Sequence, residues 1–185
     1  MEFSIKSVIP EKQHGACVVV GVFESRQLTP AAEQLDKASQ HYLTGIISRG
    51  DMDGKAGSNL LLHQIPGLPC DRVLLIGLGK EKEFREKEYC AAIRAAIKAL
   101  DATGADDATL FLSAIPVRKR NVGWRIRQAA LVVQESIYRF EQFKSRNNDA
   151  PTKLTQLTLV VDRKNEMATA ERALAQGLAI AEGIA

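Results

Sequence analysis

The sequence is sparing with the residues that build cross-linked or metal-bound folds. Its 185 residues include three cysteines and three histidines. Cys17, Cys70 and Cys90 are odd in number, widely spaced and without a CxxC pair, which fits free thiols in a reducing cytoplasm better than a disulfide framework. His14, His41 and His63 show no paired spacing of the kind a zinc site uses, and no metal role is assigned to them. No apolar run approaches the roughly 18 residues of a membrane span, so no membrane partner is expected. The opening MEFSIKSVIPEK lacks the basic-then-apolar order of a secretion signal. No serine sits in a nucleophile elbow, no Cys–His pair is evident, and no internal repeat occurs. The chain shows no catalytic constellation of its own. A net charge of +3 is too small to imply a polyanionic partner by itself.

What is present reads as one layered α/β domain. With 45% hydrophobic and 25% charged residues the chain has material for a real core. Arg72 opens the run Val73, Leu74, Leu75, Ile76, Leu78, broken by Gly77 and closed by Gly79. A short apolar run of this kind predicts a strand buried on both faces. Tyr89, Ile93, Ala96, Ile97 and Leu100 then fall at helical spacing, with Glu81–Arg85 and Glu83–Lys87 as outer-face pairs and Gly104 as a stop. Strand, glycine turn and amphipathic helix form half of a βαβ unit.

Around this unit we expect strands at Phe3–Ser7 (an edge), Ala16–Phe23, Asn59–Gln64, Ala108–Ser113 and Leu154–Val161. Thr29 and Pro30 start a helix that runs through Leu35, Tyr42, Leu43, Ile46 and Ile47 to just before Gly50. A long helix from Asn121 to about Lys144 carries the stripe Gly123, Ile126, Ala130, Val133, Ile137, Phe140, widened by Trp124, Leu131 and Tyr138. Asn165 starts a last helix whose apolar pattern is still running at Ala185, so a continuation is expected.

Three features invite a functional reading. The loop of residues 48–57 holds three glycines and the Asp51-x-Asp53 pair, but lacks the remaining ligands of an EF-hand and reads as a connection. Gly77, Gly79 and Lys80 form a turn whose N–H groups could meet an anion at a helix start; the third glycine of a Rossmann turn and the Ser/Thr of a P-loop are missing. Residues 113–148 contain eight basic and two acidic side chains. That surplus is either a solvated helix face or a phosphate-backbone footprint for DNA through Arg118, Lys119, Arg120, Arg125 and Arg127. Arg125 shares a stripe with Gln128, Glu135 and Arg139 and is expected to face solvent.

MEFSIKS, ACVVVGVFE, AEQLDKAS, GKAGSNLLLH, RVLLIGLGKEKEF and RALAQGLAIAEGI, in this order, resemble the amino-terminal domain of bacterial leucyl aminopeptidases, the cytosol aminopeptidase family. The resemblance covers the whole chain. It implies a three-layer α/β/α fold with a mixed sheet, similar to macro domains, over residues 1–164, and a linker helix over 165–185. It also implies a hexameric parent enzyme that releases N-terminal residues from peptides, using two divalent ions (manganese or zinc) in a carboxy-terminal catalytic domain. Some bacterial members bind DNA. The family's Asn-Thr-Asp-Ala-Glu-Gly-Arg segment has no counterpart here, so no catalytic residue carries over. A second reading is a stand-alone macro-like binder of an ADP-ribose-type ligand at Gly77–Lys80. A third, an enzyme complete in itself, is argued against by the missing ligands.

Overall fold

The computed structural model describes residues 1–184. Its strands are β1 (Glu2–Lys6), β2 (Val18–Phe23), β3 (Gln27–Leu28), β4 (Asn59–His63), β5 (Arg72–Gly77), β6 (Asp107–Leu110) and β7 (Gln156–Val160). They form one sheet in the order β1-β7-β6-β2-β5-β4, with the two-residue β3 paired to β2. β3 and β4 are antiparallel to their neighbours and the remaining pairings are parallel. The helices are α1 (Pro30–Ala38), α2 (Tyr42–Ser48), α3 (Glu86–Asp101), α4 (Val122–Asn147) and α5 (Met167–Ile184).

Helices cover both faces, which is why β2 and β5 are apolar at nearly every position. Successive side chains of a strand point to opposite faces. Val18, Val20, Val22, Val73 and Leu75 meet Ala32 and Leu35 of α1 and Leu43 and Ile47 of α2. Val19, Leu74, Ile76 and Leu110 meet Tyr89, Ile93 and Ile97 of α3 and Ile126 and Val133 of α4. Each such aliphatic side chain contributes roughly 1.5–3 kcal/mol by its burial. The result is the three-layer α/β/α arrangement with a mixed sheet.

The helix expected to run unbroken from Thr29 to Gly50 is two helices. Gln40 and His41 adopt left-handed backbone (φ 57° and 63°) between α1 and α2. The buried Asp36 carboxylate then accepts the N–H of Thr44 at 2.8 Å and its hydroxyl at 2.6 Å. This starts a new helix where no glycine or proline marks a break. α3 begins at Glu86 after a single 3-10 turn over Glu81–Glu83, so the pairs Glu81–Arg85 and Glu83–Lys87 do not lie on one helix. A similar 3-10 turn over Lys164–Glu166 precedes α5, and Asn165 lies inside it. β6 is shorter than expected, because residues Phe111–Ala114 coil into a 3-10 turn.

The stripe of α4 is buried from Gly123 to Ile137, but Tyr138 is exposed. α5 packs on α4 through Ala170, Ala173 and Gly177, which are buried. A Cβ at Gly177 would approach the Arg127 carbonyl to 2.9 Å and the Ala130 methyl to 3.1 Å. The missing side chain is what lets the two helices touch.

Candidate functional site

Five connections meet at the carboxyl end of the sheet. They are the exits of β1 (Ser7–Pro10), of β2 (leading to α1), of β5 (Glu81–Arg85), of β6 (Phe111–Arg118) and of β7 (Val161–Lys164). Together they enclose a cleft of about 840 Å³. Topology places it. The crossover leaving β2 passes through α1 on one face, and the crossover leaving β6 passes through α4 on the other. Neighbouring strands whose connections depart to opposite faces leave a crevice between them, the usual place for a ligand in an open α/β sheet.

The floor of the cleft is apolar. Phe23, Phe84, Phe111 and Ile115 are buried, and Phe23 meets Phe84 edge to face with ring centroids 5.7 Å apart. The rim is charged, with Arg85, Arg118 and Lys164 against Glu81 and Asp162. Thr29 occupies the N-cap position of α1, yet its hydroxyl donates to the Gly21 carbonyl at 2.9 Å. It therefore gives no cap to the helix, and the N–H of Ala31, on the cleft wall, lacks the acceptor that an N-cap side chain normally supplies. Sequence reasoning missed this cleft, since its walls come from segments far apart in the chain. Its only local signal was a helix start at Thr29–Pro30 directly after a buried strand.

The residues singled out in sequence are placed differently. In the glycine turn, Gly77 N–H donates to Ser58 at 2.8 Å, Leu78 N–H to Val22 at 2.9 Å and Gly79 N–H to Gly54 at 2.9 Å. A Cβ at Gly77 would run into the Lys55 carbonyl and the Ser58 hydroxyl. The turn ties the 54–58 loop to β2 and β5 and does not open an α-helix. Its three N–H groups are occupied, and Lys80 is exposed beside them.

Arg118, Lys119 and Arg120 are exposed together in the loop before α4. Arg120 is engaged by Glu86 and lies over the Trp124 ring at 5.3 Å. Arg127 reaches Gln176 of α5 at 3.3 Å. Arg125, expected to face solvent, is 8% exposed. Its Nε donates to the Ser113 carbonyl at 3.2 Å, and its own carbonyl accepts the Tyr89 hydroxyl at 2.8 Å. α4 is covered by α3, by α5 and by the 111–114 turn, so Arg125, on the flank of the apolar stripe, is also inside, while Glu135 and Arg139 farther round the helix are exposed. The basic segment thus offers Arg118 and Lys119 to solvent, while Arg125 is a structural residue.

Among the described residues, no three His, Cys, Asp or Glu side chains are grouped to hold a metal. Asp53 accepts the Lys55 N–H at 3.0 Å in a local turn, and Asp36 with His41 forms the cap of α2. Cys17 is a core residue whose thiol burial pushes up to about 12. No helix among the described residues is long and apolar enough to cross a membrane.

The sheet order, the layers and the carboxyl-end cleft define an α/β domain of the macro type. The chain belongs to the cytosol aminopeptidase family: residues 19–147 match the description "Cytosol aminopeptidase family, N-terminal domain". It is 61% identical over all 185 residues to a probable cytosol aminopeptidase of Dechloromonas aromatica, covering 37% of that protein. It is 51% identical to one of Nitrosospira multiformis, covering 36%. The chain therefore spans little more than a third of the length of these relatives. A tomato leucine aminopeptidase mutant shares the fold, with a TM-score of 0.74 and 19% identity over 100% of this chain and 36% of that one. The macro domain of ganglioside induced differentiation associated protein 2 shares it at 0.67 and 12%, over 95% of this chain and 84% of that one.

Proposed function

We propose that this domain is the non-catalytic, assembly-supporting part of a metal-dependent leucyl aminopeptidase that releases N-terminal amino acids from peptides in the cytoplasm. The observation that carries the reading is the full-length match, at 61% identity, to about a third of a probable cytosol aminopeptidase. In this reading the two divalent ions, manganese or zinc, are held by the remaining part of the protein, where they would activate water for hydrolysis. The domain's work is to present α4, α5 and the outer loops to that part and to other copies in a hexamer. The test is hydrolysis of leucine-p-nitroanilide with added manganese or zinc. The pure 185-residue chain is expected to match a metal-only blank, while the full gene product turns the substrate over and runs as a hexamer in mass photometry. Turnover by the chain alone would overturn the reading.

A second reading, contact with DNA, is supported by the pair Arg118 and Lys119, exposed next to each other with no acid between Ala114 and Gln134. Two phosphates would give a salt slope of roughly −1.8 and weak, non-specific binding; several copies side by side would raise the avidity. Fluorescence anisotropy with duplex DNA is expected to show weaker binding for a Lys119→Ala chain. Equal affinity, or binding insensitive to salt, would leave the pair as ordinary solvated surface.

A further inference from the structure

We infer that β4 is a docking edge for a second copy of this chain. The two β4 strands pair antiparallel about a two-fold axis at Leu61, so that one sheet runs through both domains. This contact goes beyond the assembly role proposed above, because it names the surface and the register. It forms or fails in the 185-residue chain alone, so a hexamer built through other surfaces would survive its failure.

The two edges of the sheet are built differently. β1 carries Glu2 and Lys6 at its ends, charges of the kind that keep an open edge from recruiting another strand. β4, at the opposite edge, reads Asn-Leu-Leu-Leu-His. It has no such guard: residues 56–70 contain no Asp, Glu, Lys or Arg, and no proline interrupts the strand. Leu60, Leu61 and Leu62 are each only half-buried. Leu60 and Leu62 lie on the side of α1 and α2, and Leu61 on the side of α3. An open, uncharged, leucine-rich edge is one that pairs with another strand.

The backbone sets how the second copy docks. On the β5 side, the Ser58 carbonyl accepts the Gly77 N–H at 2.8 Å, and the Gln64 N–H donates to the Asp71 carbonyl at 2.9 Å. Bonded positions alternate along an antiparallel pair. Leu60 and Leu62 therefore complete that ladder, while the N–H and C=O groups of Asn59, Leu61 and His63 point away from β5. No segment among the described residues bonds to them. These outward positions are symmetric about Leu61. An antiparallel copy centred there sets Leu61 opposite the partner's Leu61 and Asn59 opposite the partner's His63, and every outward N–H meets an outward carbonyl. Leu60 then faces the partner's Leu62 in the closer, non-bonded kind of pair, so apolar contact continues across the seam on both faces. A shift of two residues either way leaves an outward position of each strand without a strand residue opposite, and sets Leu61 against Asn59 or His63. A second copy thus returns the same leucines in matching register, with no charge to desolvate and no like charges opposed.

The test is sedimentation velocity of the chain over roughly 1–200 μM, with hydrogen exchange read by NMR at both ends of that range. The chain is expected to sediment as a dimer at the upper end. There the amides of Asn59, Leu61 and His63 should exchange about tenfold or more slowly than when dilute. Asn59→Lys with His63→Lys changes two exposed positions and sets each new lysine against a lysine of the second copy. This variant is expected to stay monomeric, with the thermal midpoint of the dilute parent. Should it melt early, His63→Pro takes its place: it removes an outward N–H, leaves the β5 ladder intact and is expected to weaken the dimer severalfold. A chain that stays monomeric throughout the range would overturn the inference. So would a dimer untouched by the folded variants, or edge amides whose exchange ignores concentration.

Discussion

Asp36 sits near the end of one helix and caps the next, its Oδ1 accepting the Thr44 N–H at 2.8 Å and its Oδ2 the Thr44 hydroxyl at 2.6 Å. Burial alone would push the Asp36 carboxyl up. The hydroxyl and N–H of Thr44, with His41 beside them, outweigh it and hold the group below the usual carboxylate value. A depressed folded value means that the stabilisation is present above the unfolded pKa of about 3.9 and is lost as pH falls through the folded one. Asp36→Ala is expected to cost about 1.5–3 kcal/mol at pH 7. In urea titrations, the gap between parent and variant should close as pH drops below about 4. A gap that stays constant down to pH 2 would assign the cap no charge-dependent role.

Arg118 and Arg125 lie seven residues apart and should respond oppositely to truncation. Arg125→Ala removes a buried donor to Ser113 and packing beneath α4, and is expected to destabilise by about 2–3 kcal/mol. Arg118→Ala, on an exposed loop, should stay within about 0.5 kcal/mol of the parent. Equal urea midpoints for the two variants would return Arg125 to the surface.

How much of this was readable beforehand varies with the element. β5 announced itself, because a strand buried on both faces cannot help being a continuous apolar run. α4 was visible as a stripe, but a stripe tells which face meets the sheet and says nothing of a second cover. Arg125 and Ser136 are buried for that reason. The break at Gln40–His41 was hidden because it depends on a side chain reaching eight residues ahead, from Asp36 to Thr44. The cleft was least legible of all. It is made by strand order, which brings residue 7 beside residue 161, and no local pattern encodes that neighbourhood.

The hydroxyl of Ser113 joins β6 to β7, taking the Val160 N–H and donating to the Val160 carbonyl, both at 2.8 Å. Ser113→Ala leaves that buried N–H without a partner and is expected to cost about 1–3 kcal/mol. A denaturant midpoint unchanged by the substitution would show that a water fills the gap.

Gly177→Ala sets two effects against each other. Helix propensity gains roughly 1 kcal/mol, while a methyl pressed on the Arg127 carbonyl costs about 1–3 kcal/mol as overpacking. The second should win and loosen α5 from α4. Hydrogen exchange should then speed up in residues 167–184 before the sheet is affected. Greater protection there would mean that the helices separate at little cost.

The cysteines should label in order of access. Cys17 and Cys70 are buried, Cys90 is half-buried, and burial raises all three thiols. The thiolate is the reactive form, so iodoacetamide at pH 8 is expected to modify Cys90 first and Cys17 only when the domain opens. Mass spectrometry of the native protein over time reads this directly, and early modification of Cys17 would contradict its place between the layers.

β1 takes its sheet partner from the far end of the domain, with Glu2 opposite Gln156 and Lys6 opposite Val160. On the ribosome, the strand made first has to wait for the strand made last. At 5–20 residues per second that interval is on the order of ten seconds or more. The delay is one of timing, since the entropy of closing so long a loop grows only logarithmically with its length. Throughout it Phe3 and Ile5 have no sheet to enter, so a chaperone, a fused tag or a neighbouring nascent chain can compete for this segment. Synthesis of residues 156–160 is the event that releases it.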